Sequence, residues 1–568
     1  MTRARWFVVL LLAALAALAV GIYITMPPEA RRLPIVATLR EPIRGAIHIH
    51  TRRSDGSGTV DDVASAAARA GLNFVILTDH GDGTRDPDPP AYRNGVLCID
   101  AVEISTASGH LVALGLPRTT YSLGGETRDV IEDVKRMGGM AMAAHPSSAR
   151  PQLRWTDWNV KVDGLEWVNA DSEWRDESLG AIAHALLTYP FRRPETLAAL
   201  LDRPEEALRR WDGLTSQRSV VAVAAADAHA RIPLTSVGDP YDARFSLHLP
   251  GYEQVFRTFS IALPGVTLTG ESKADASAVL EAIRRGHVYS TIDALAGPMA
   301  LSFSATGADG TVTMGEDVVA KGTMTFQVQS NAPDGASVSL LRDGKPVHTA
   351  SGAQFDYSSS DAGVYRVEVQ WPGAPGRPPV PWVVSNPIYV LSRPRPVETA
   401  LAPPPPEQVD VRYSDGPSTD WHIENSPRSR GALDVVSAVG GTQLLLRYAL
   451  GGTQAEGPFV AASMVVPQGV ANYDRLIFTS QSSRPTRIWV QLRIPSGGSG
   501  RSWHRSVYVD ETPRVITVPF DEMRPLEPTT TGPPVLADVR DVLFVVDSIN
   551  TRPGMNGQLW LDEVKLAR

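Results

Sequence analysis

Residues 45–56 read GAIHIHTRRSDG, a short apolar run followed by two histidines and a polar turn. An apolar run of this length is typical of a buried strand, so the histidines fall where a strand ends. Six more apolar runs follow before residue 230, and helical patterns lie among them. These runs are NFVILTDH, VLCIDAVEI, LVALGL, MAMAAH, GLEWVN and VVAVAAAD. The alternation of strands and helices predicts an α/β domain.

The predicted strands of this domain are apolar on both faces, which is typical of parallel strands that helices cover. Two helix candidates, TVDDVASAAARAGL and TRDVIEDVKRMGG, run into a glycine, which is a common helix stop. Thr59 and Asp62 have the spacing of a capping box at the start of the first helix. We therefore expect an α/β barrel or a doubly wound sheet. The histidine motifs then lie at the carboxyl ends of the strands, where such folds place active sites.

A different pattern begins near residue 298, where apolar residues recur at every second position. Asp343-Gly344 lies between two such runs and predicts a hairpin turn. The sequence from Asp361 to Tyr365 is similar to a tyrosine corner, in which the tyrosine hydroxyl bonds back to the backbone. We expect residues 298–394 to form a small immunoglobulin-like β-sandwich.

The last part of the chain is predicted to be another β-domain. The proline-rich residues 395–409 favour an extended linker, and the alternating runs in residues 410–568 favour a jelly-roll β-sandwich. The order of these runs and the terminal strand QLWLDEVKL resemble the galactose-binding-like and carbohydrate-binding-module sandwiches. The resemblance makes a carbohydrate or a cell-envelope component a candidate ligand of this domain.

Four tryptophans of this last domain bear on that ligand. They are Trp421, Trp489, Trp503 and Trp560. Aromatic rings stack well on sugars, but in alternating strands such rings are usually part of the core. Trp503, near the glycine-rich segment GGSG, is the one that we expect to be exposed.

The composition limits the possible partners. The chain of 568 residues has 54 Lys and Arg against 62 Asp and Glu, which gives a net charge of −8. No basic stripe is available to displace counterions from phosphates, so no nucleic-acid partner is expected. Cys98 is the single cysteine, which excludes an internal disulfide. We interpret it as a buried structural thiol, with a catalytic or metal-bound thiolate as the alternative.

The N-terminus is predicted to interact with a membrane. Arg3 and Arg5 precede an uncharged run from Trp6 to Ile24, which is close to the shortest length that spans a bilayer. No small-x-small cleavage motif follows the run. We expect residues 1–33 to be an uncleaved anchor, with the catalytic part outside the cytoplasm, either periplasmic or extracellular. A secreted protein is the alternative, and basic residues on both sides of the run leave its orientation open.

Nine imidazoles and carboxylates lie in the motifs that end the predicted strands of the α/β domain. They are His48, His50, Asp55, His80, Glu103, His110, His145, Asp227 and His229. Such groups are good ligands for Zn, Mn or Fe. Two residues apart on a strand, His48 and His50 are expected to share one face. Glu103 is the candidate bridge between two ions, because a buried carboxylate without a cation is costly.

The order of these motifs resembles the polymerase and histidinol phosphatase (PHP) superfamily. The matching segments are His48-Ile-His50-Thr51, Ser54-Asp55-Gly56, Thr78-Asp79-His80, Glu103, His110, His145-Pro146 and Asp227-Ala-His229. The resemblance covers residues 43–297, about half of the chain, and implies a distorted (β/α)7 barrel for residues 34–297. The membrane run, and the segment EAIRRGHVYST with β-strands after it, are most similar to the carbaryl-hydrolase-like metallohydrolases.

The resemblance implies two or three divalent ions, of Zn, Mn or Fe. By matching motif, the first ion takes His48, His50, Glu103 and Asp227. The second ion shares Glu103 and adds His110 and His145. The third ion takes Asp55, His80 and His229. Asp55 stands where some members of the superfamily have histidine, which leaves the occupancy of the third position open.

The chemistry implied is metal-assisted hydrolysis, in which clustered cations supply hydroxide near neutral pH and neutralise charge on a phosphoryl or carbonyl oxygen. Glu103, Asp55 and Asp227 are the candidate catalytic carboxylates. Asp55 or an unengaged imidazole is the candidate donor of a proton to the leaving group. A phosphoesterase acting on a small phosphate ester is the first hypothesis, and an ester or carbamate hydrolase is the second. A catalytically inactive glycan-binding or scaffold protein is the alternative outside that class.

Other residues of the α/β domain have two interpretations each. Arg192 and Arg193 can grip a phosphate, but a solvated surface role is the alternative. His184 and His287 lie in the same α/β segment and could reach the site, and a structural role is the alternative for both. The tryptophans in the segment after His145 can line a substrate pocket or belong to ordinary packing. They are Trp155, Trp158 and Trp174.

Overall fold

The computed structural model describes residues 3–34, 39–233, 246–247, 249–395, 405–495, 500–527 and 530–568. The chain divides into two compact units. The first comprises Met1–Gly81, Asp86–Pro117 and Ile131–Pro396. The second comprises Asp82–Arg85, Arg118–Val130 and Val397–Arg568.

The first described element is helix α1 (Arg3–Thr25). Among the described residues it is the one helix that is long and apolar enough to cross a membrane, over Trp6–Thr25. At about 1.5 Å per residue these 20 residues extend about 30 Å, the thickness of the hydrocarbon core of a bilayer. Strand β1 (Arg31–Arg32) follows the helix.

Between residues 43 and 297 the chain alternates strands with helices. The strands are β2 (Ile43–Ile47), β3 (Phe74–Leu77), β4 (Ala91–Arg93), β5 (Val96–Asp100), β6 (Val102–Thr106), β7 (Gly109–Leu114), β8 (Met140–Ala143), β9 (Gly164–Asn169), β10 (Val221–Ala225), β11 (Ile232–Pro233), β12 (Ser246–Leu247), β13 (Ser260–Leu263), β14 (Tyr289–Thr291) and β15 (Ala296–Gly297). The helices are α2 (Val60–Ala70), α3 (Thr127–Arg136), α4 (Ala170–Glu173), α5 (Leu179–Thr188), α6 (Arg193–Ala198), α7 (Glu205–Thr215), α8 (Tyr252–Thr258) and α9 (Ser272–Arg284).

Strands β2 and β3 and strands β5 to β10 are connected in a ring, and β4 pairs with β5 at the edge of its sheet. Parallel strands β2, β3 and β5 belong to one sheet, and the order β6-β7-β8-β9-β10 forms a second sheet. Two parallel bridges join the sheets, His80 to Glu103 and Ile49 to Ala228. The mixed α/β class predicted for this part is confirmed, and the apolar strands surround a common core.

One strand of the ring runs against the predicted direction. The run LVALGL was expected to be a parallel strand, but β7 is antiparallel to both β6 and β8. The reason is the connection: only Ala107 and Ser108 separate β6 from β7, and so short a link can join only antiparallel strands. Gly109 begins β7 with φ +122°, where a Cβ would approach the backbone of Trp155 to 3.2 Å.

Helix α2 confirms its predicted ends. The Thr59 hydroxyl accepts a hydrogen bond from the Asp62 amide at 3.2 Å, and the Asp62 carboxylate accepts one from the Thr59 amide at 2.8 Å. This is the capping box. Gly71 ends the helix with φ +75°, a conformation that costs glycine little.

The strands that follow residue 298 make two layers. They are β16 (Leu301–Gly307), β17 (Gly310–Thr313), β18 (Asp317–Val319), β19 (Met324–Ser330), β20 (Ser337–Arg342), β21 (Lys345–Ser351), β22 (Gln354–Ser359), β23 (Gly363–Gln370), β24 (Val383–Ser385) and β25 (Ile388–Leu391). The order β17-β16-β19-β22 forms one sheet. The others belong to a sheet that continues through the β24–β14 ladder into β13 and β2, so these strands and the ring share hydrogen bonds.

Two local predictions for these strands are confirmed. Asp343 and Gly344 both have positive φ, as the hairpin turn between β20 and β21 requires. The Tyr365 hydroxyl donates a hydrogen bond to the Asp361 carbonyl at 2.8 Å, which is the tie of a tyrosine corner.

The second unit contains two six-stranded sheets. Its strands are β26 (Val409–Tyr413), β27 (Trp421–Asn425), β28 (Arg430–Ala438), β29 (Gly441–Ala449), β30 (Phe459–Val465), β31 (Arg475–Ser482), β32 (Thr486–Ile494), β33 (Arg501–Val509), β34 (Arg514–Pro519), β35 (Arg524–Pro525), β36 (Asp541–Asp547) and β37 (Asn556–Ala567). One sheet has the order β28-β29-β37-β31-β34 with β26 beside β37, and the other has the order β27-β30-β36-β32-β33-β35. Phe478 of the first sheet contacts Phe544 of the second, which gives a sandwich-like core.

The tryptophans of this unit correct one expectation. Trp503 was expected to be exposed, but it is 1% exposed, and its indole donates a hydrogen bond to the Gly532 carbonyl at 2.8 Å. The reason is that β33 pairs with strands on both sides, and this face of it packs into the core. Trp421 and Trp489 are also buried, and Trp560 is half-buried. Trp421 and Trp503 therefore belong to the core of the sandwich.

Candidate metal centre

The structure brings all nine predicted side chains together around Glu103. Its Oε2 lies 3.3 Å from Nε2 of His48 and 3.3 Å from Nε2 of His50. The same oxygen lies 3.1 Å from Nδ1 of His80. Its Oε1 faces a different pair, at 2.8 Å from Nδ1 of His110 and 3.0 Å from Nε2 of His145. The two oxygens of this carboxylate therefore face separate sets of imidazoles.

Two further carboxylates complete the cluster. Asp227 Oδ1 lies 3.4 Å from Nε2 of His48 and equally far from Nε2 of His50. Asp55 Oδ2 lies 3.2 Å from Nε2 of His229 and 3.7 Å from Nε2 of His80. These two carboxylates lie on different sides of His50, because Asp55 Oδ1 faces its Nδ1.

Among the described residues, four overlapping groups have ligand atoms within 4.8 Å of one another. They are His48-His50-Asp227, His48-Glu103-His145, His80-Glu103-His110 and His50-Asp55-His80-His229. The predicted partition into three ions is therefore not clean, because three histidines belong to two groups each. They are His48, His50 and His80.

The backbone presents the ligands in an unexpected way. His48 and His50 were expected to share the face of a strand, but β2 ends at Ile47 and His48 has φ +66°. The expectation about the strand was wrong, yet a turn in the left-handed region still aims both imidazoles at Glu103. His145 and Asp227 also have positive φ, at +29° and +40°, just after β8 and β10.

Such conformations cost a non-glycine residue about 1–3 kcal/mol each and persist only where the surroundings impose them. Three of the nine candidate ligands adopt them, each just after a strand of the ring. Strain of this kind is concentrated at functional sites, so its position supports a functional cluster.

Most of the cluster is buried, and its imidazoles and carboxylates shift one another's pKa values. Burial opposes charge on His50, but the Asp227 and Glu103 carboxylates beside its ring outweigh this and raise its pKa to about 10. Burial likewise opposes charge on His48, yet the neighbouring Asp227 and Glu166 carboxylates raise its pKa well above the ordinary value. Burial would raise the pKa of Glu103, but the imidazoles around it hold that pKa well below its usual range.

The remaining carboxylates behave as Glu103 does. Burial would raise the pKa of Asp227, but His48 and His50 hold it well below the ordinary value. Burial would also raise the pKa of Asp55, but His229 and His80 hold it low. The buried carboxylates and the imidazoles of His48 and His50 thus favour each other's charged forms.

The residues fit divalent cations. Within the described part of the chain, Nε2 of His48, Nε2 of His50 and Oδ1 of Asp55 are buried without a hydrogen bond of good geometry. Buried polar atoms usually have a partner, and a cation is the partner that suits imidazole nitrogens beside carboxylate oxygens. The donor set of nitrogen and oxygen suits Zn, Mn or Fe.

Glu166 of β9 is a site residue that the sequence reasoning missed. Its Oε1 lies 2.5 Å from Nδ1 of His48, so it fixes the ring whose Nε2 faces Glu103. Its Oε2 accepts hydrogen bonds from the His145 amide at 2.7 Å and from the Asn169 side chain at 2.8 Å. The signal in the sequence was a lone carboxylate within the apolar run GLEWVN, which had to be buried.

Replacing Glu166 with glutamine is expected to weaken metal binding by about 10–100-fold, because an outer carboxylate orients its histidine and makes it more basic. Titration of the metal-free protein with Zn²⁺ or Mn²⁺ measures the change. Glu271→Gln, which changes an exposed carboxylate just before α9, is the matched control. Wild-type affinity in the Glu166→Gln protein would show that Glu166 does not orient a ligand.

Asp79, in the motif Thr78-Asp79-His80, is a second supporting residue. It accepts hydrogen bonds from the Thr51 amide, the Thr51 hydroxyl and the Ser54 hydroxyl, each at 2.7 Å. The Tyr252 hydroxyl donates to the His50 carbonyl at 2.7 Å. These bonds fix the turn that carries Asp55.

The other candidates of the α/β part have contacts elsewhere. Arg192 bonds the Pro27 carbonyl and pairs with Glu29 at 3.4 Å, so it does not serve the cluster as a phosphate grip in this structure. His184 lies 2.9 Å from the Thr25 hydroxyl, and His287 lies 3.7 Å from Glu316. The Arg193 guanidinium lies over the ring of Tyr189.

Most of the aromatic and thiol candidates are structural, whereas Trp174 lines an apolar cavity beside α5. Trp155 is buried and donates to the Asp157 carbonyl at 2.8 Å. Trp158 and Trp174 lie beneath the guanidinium groups of Arg210 and Arg175. Cys98 is buried in β5, and burial raises the pKa of its thiol to about 11, which suits a structural residue.

Comparison with known proteins finds distant relatives. No protein-family model matches the chain. The chain is 29% identical over 122 residues to the 3′,5′-nucleoside bisphosphate phosphatase of Chromobacterium violaceum, a match that covers 20% of this chain and 43% of that protein. An uncharacterised protein of Methanocaldococcus jannaschii is 27% identical over 142 residues, which cover 22% of this chain and 82% of that protein. The chain thus spans less than half the length of the phosphatase that it matches.

Solved structures with similarity include two carbohydrate-binding modules. The family 11 module of a Clostridium thermocellum cellulase matches with a TM-score of 0.24 and 16% identity, over 28% of this chain and 94% of that module. A family 30 module matches with a TM-score of 0.22 and 12% identity, over 28% of this chain and 98% of that module.

Proposed function

We propose that the chain is a multinuclear metal-dependent hydrolase of the PHP superfamily that acts on a small phosphate ester. One observation carries the proposal: the two oxygens of Glu103 face separate sets of imidazoles, as a carboxylate between two cations does. The similarity to a nucleoside bisphosphate phosphatase supports a phosphate ester over a carboxylic ester or a carbamate.

The proposed ligand sets follow the distances around the three carboxylates. His48, His50 and Asp227 would hold one ion with Glu103 Oε2. His110 and His145 would hold a second with Glu103 Oε1. Asp55, His80 and His229 would hold a third. When bound, divalent ions supply hydroxide from water near neutral pH and neutralise charge that develops on a phosphoryl oxygen.

The side chains divide into a buried and an open part. His48, His50 and Glu103 are almost wholly buried, whereas the side chains of Asp55 and His229 are each 19% exposed and that of His80 is 21% exposed. We infer that the substrate approaches from this open part.

The same residues suggest how the leaving group receives its proton. Asp55 is a poor proton donor, because His229 and His80 hold its pKa low although burial would raise it. It is therefore better suited as a ligand. Burial and the charge of His50 would lower the pKa of His229, but Asp55 and Asp227 raise it above its ordinary value. Where the third position holds no ion, the partly exposed imidazole of His229 is thus the better source of the proton.

The proposed domain organisation and cellular location follow the sequence predictions. We propose that α1 anchors the chain, that residues 34–297 form the PHP barrel and that residues 298–394 form an immunoglobulin-like sandwich. A linker predicted over residues 395–409 and a jelly-roll domain predicted over residues 410–568 follow. Residues 396–404 of this linker lie outside the described residues, and its last residue, Val409, already belongs to strand β26. The catalytic part would lie outside the cytoplasm. A carbohydrate or cell-envelope ligand for the last domain stays a prediction from the sequence.

The test uses the full-length protein, purified in detergent without chelators. Metal per chain is measured by mass spectrometry, and the same sample is assayed on phosphomonoesters, phosphodiesters, aryl esters and carbamates. Two or three ions per chain with chelator-sensitive phosphate release are expected. Turnover of esters or carbamates alone would favour the second hypothesis. Less than one ion per chain, without activity after addition of Mn, Zn or Fe, would contradict catalysis and favour a scaffold.

A further inference from the structure

Helix α5 has an exposed outer face that is wholly apolar. Its residues recur at helical spacing and continue past the end of the helix: Leu179, Ala183, Leu186, Leu187, Pro190 and Phe191. Leu179 is 89% exposed and Phe191 is 66% exposed, which is unusual for side chains of this size. A contiguous apolar patch of this kind marks a surface that binds another protein or a membrane.

The inner face of the same helix is apolar as well. Ile182, Ala185 and Tyr189 line an apolar cavity of about 250 Å³ together with residues of α6 and α8, and the partly exposed Leu186 lies at the boundary of this cavity and the outer face. Apart from His184 and Thr188 the helix is apolar, and a helix with so few polar residues is typical of a segment that is covered on more than one side. In water, α5 would leave its outer face without a partner.

The contacts that α5 and the residues after it make with the end of α1 indicate what covers the outer face. Nε2 of His184 lies 2.9 Å from the hydroxyl of Thr25, the last residue of α1. Arg192 bonds the Pro27 carbonyl, and the Glu195 carboxylate accepts from the Ala30 amide at 3.3 Å. These contacts hold the outer apolar face beside the end of the apolar helix α1, where the polar boundary of a bilayer would lie.

We propose that the outer face of α5 lies in the interface of the same bilayer that holds α1, so that a lipid surface is its partner. The proposal rests on the anchor proposed for α1. Arg193 lies two residues after Phe191 and is exposed, and a basic side chain at the end of an apolar face suits the phosphates of lipid headgroups. Asp176 and Glu177 precede the helix and limit the apolar face at its other end.

The contact would fix how the first unit meets the membrane. A single span such as α1 leaves a domain free to rotate about the chain that follows the span. A second apolar contact beside the first removes that freedom. Because α5 and the metal centre belong to the same compact unit, the metal centre would then keep one orientation toward the membrane.

The experiment uses the full-length chain in vesicles of phosphatidylcholine and phosphatidylglycerol, with a fluorophore on one introduced cysteine. Leu187→Cys and Phe191→Cys test the outer face of α5, and the buried Cys98 does not compete for the label. Leu15→Cys in α1 reports whether the anchor is inserted, and Ser277→Cys, exposed on α9, is the control for water. Quenching by doxyl lipids and by iodide in water is measured for each label.

Labels at 187 and 191 are expected to be quenched at least about twofold more by doxyl lipid than the label at 277, at a depth of about 5–10 Å below the headgroups. If the label at 15 is quenched by lipid while those at 187 and 191 match that at 277, the anchor holds and the inference is wrong. If the labels at 187 and 191 are shielded from both quenchers, a protein covers the face and the inference is also wrong. Absence of lipid quenching at 15 overturns the anchor and, with it, this inference.

Discussion

Replacing Glu103 with glutamine is expected to abolish turnover and most metal binding. The amide keeps the shape of the side chain but loses its charge and one of its two acceptor oxygens, so it cannot serve both sets of imidazoles. Removal of an outer carboxylate typically costs 10–100-fold, and loss of the shared ligand should exceed this, at about 10³-fold or more in kcat/KM. Metal per chain should fall together with activity.

The matched control is Glu281→Gln, an exposed carboxylate that pairs with Arg285 on the surface of α9. It should keep both metal content and turnover. Circular dichroism and thermal unfolding of the Glu103→Gln protein report whether the fold survives, which separates loss of a ligand from loss of structure. Full metal content and turnover in the variant would show that Glu103 does not hold the ions.

The sequence predicted which residues gather but not how the backbone delivers them. Seven of the nine residues follow a strand, and strand ends of an α/β fold meet at one edge, which is why the prediction of the cluster succeeded. Glu103 and His110 instead lie at the second positions of β6 and β7. The conformation of His48 could not be predicted, because a pattern of apolar residues says nothing about the residue at which a strand stops. Its φ of +66° replaces the strand geometry on which the expectation depended.

Directions and roles were harder to predict than positions. A buried antiparallel strand has the same composition as a buried parallel one, so only the short connection before Gly109 indicated the direction of β7. Glu166 lay within an apolar run that had been interpreted as structural, and its role depends on a partner 118 positions away in the sequence. Trp503 was expected to be exposed because it lies near a turn. Its burial depends instead on the alternation of side chains along β33.

Removal of the metals is expected to make the stability of the protein fall as the pH rises. In the metal-free chain, carboxylates raise the pKa of His50 from 6.5 to about 10, although burial acts against it. A raised pKa stabilises the fold below the unfolded value and ceases to do so as the pH rises through the folded value. For His50 this is on the order of 4–5 kcal/mol, and His48 changes in the same direction.

The carboxylates set the lower pH limit of the range in which the metal-free cluster stabilises the fold. Burial would raise the pKa of Glu103 and of Asp227, but the imidazoles hold both below their ordinary values of 4.5 and 3.8. Their contribution is therefore present above those values and is lost as the pH falls through the lower values of the folded state. The metal-free cluster is thus most stabilising between about pH 4.5 and 6.5.

Bound metal reverses the dependence on pH, because a ligand imidazole must be neutral and each ion therefore displaces protons. The difference in Tm between metal-loaded and chelated protein should be small near pH 6 and widen toward about pH 9. Scanning calorimetry of the full-length protein at fixed free metal measures it, and Glu103→Gln, with one shared ligand removed, should show the smaller gap at every pH. A purely structural cluster of histidines and carboxylates would behave otherwise: both curves would fall together as the pH rises, and the gap would not widen.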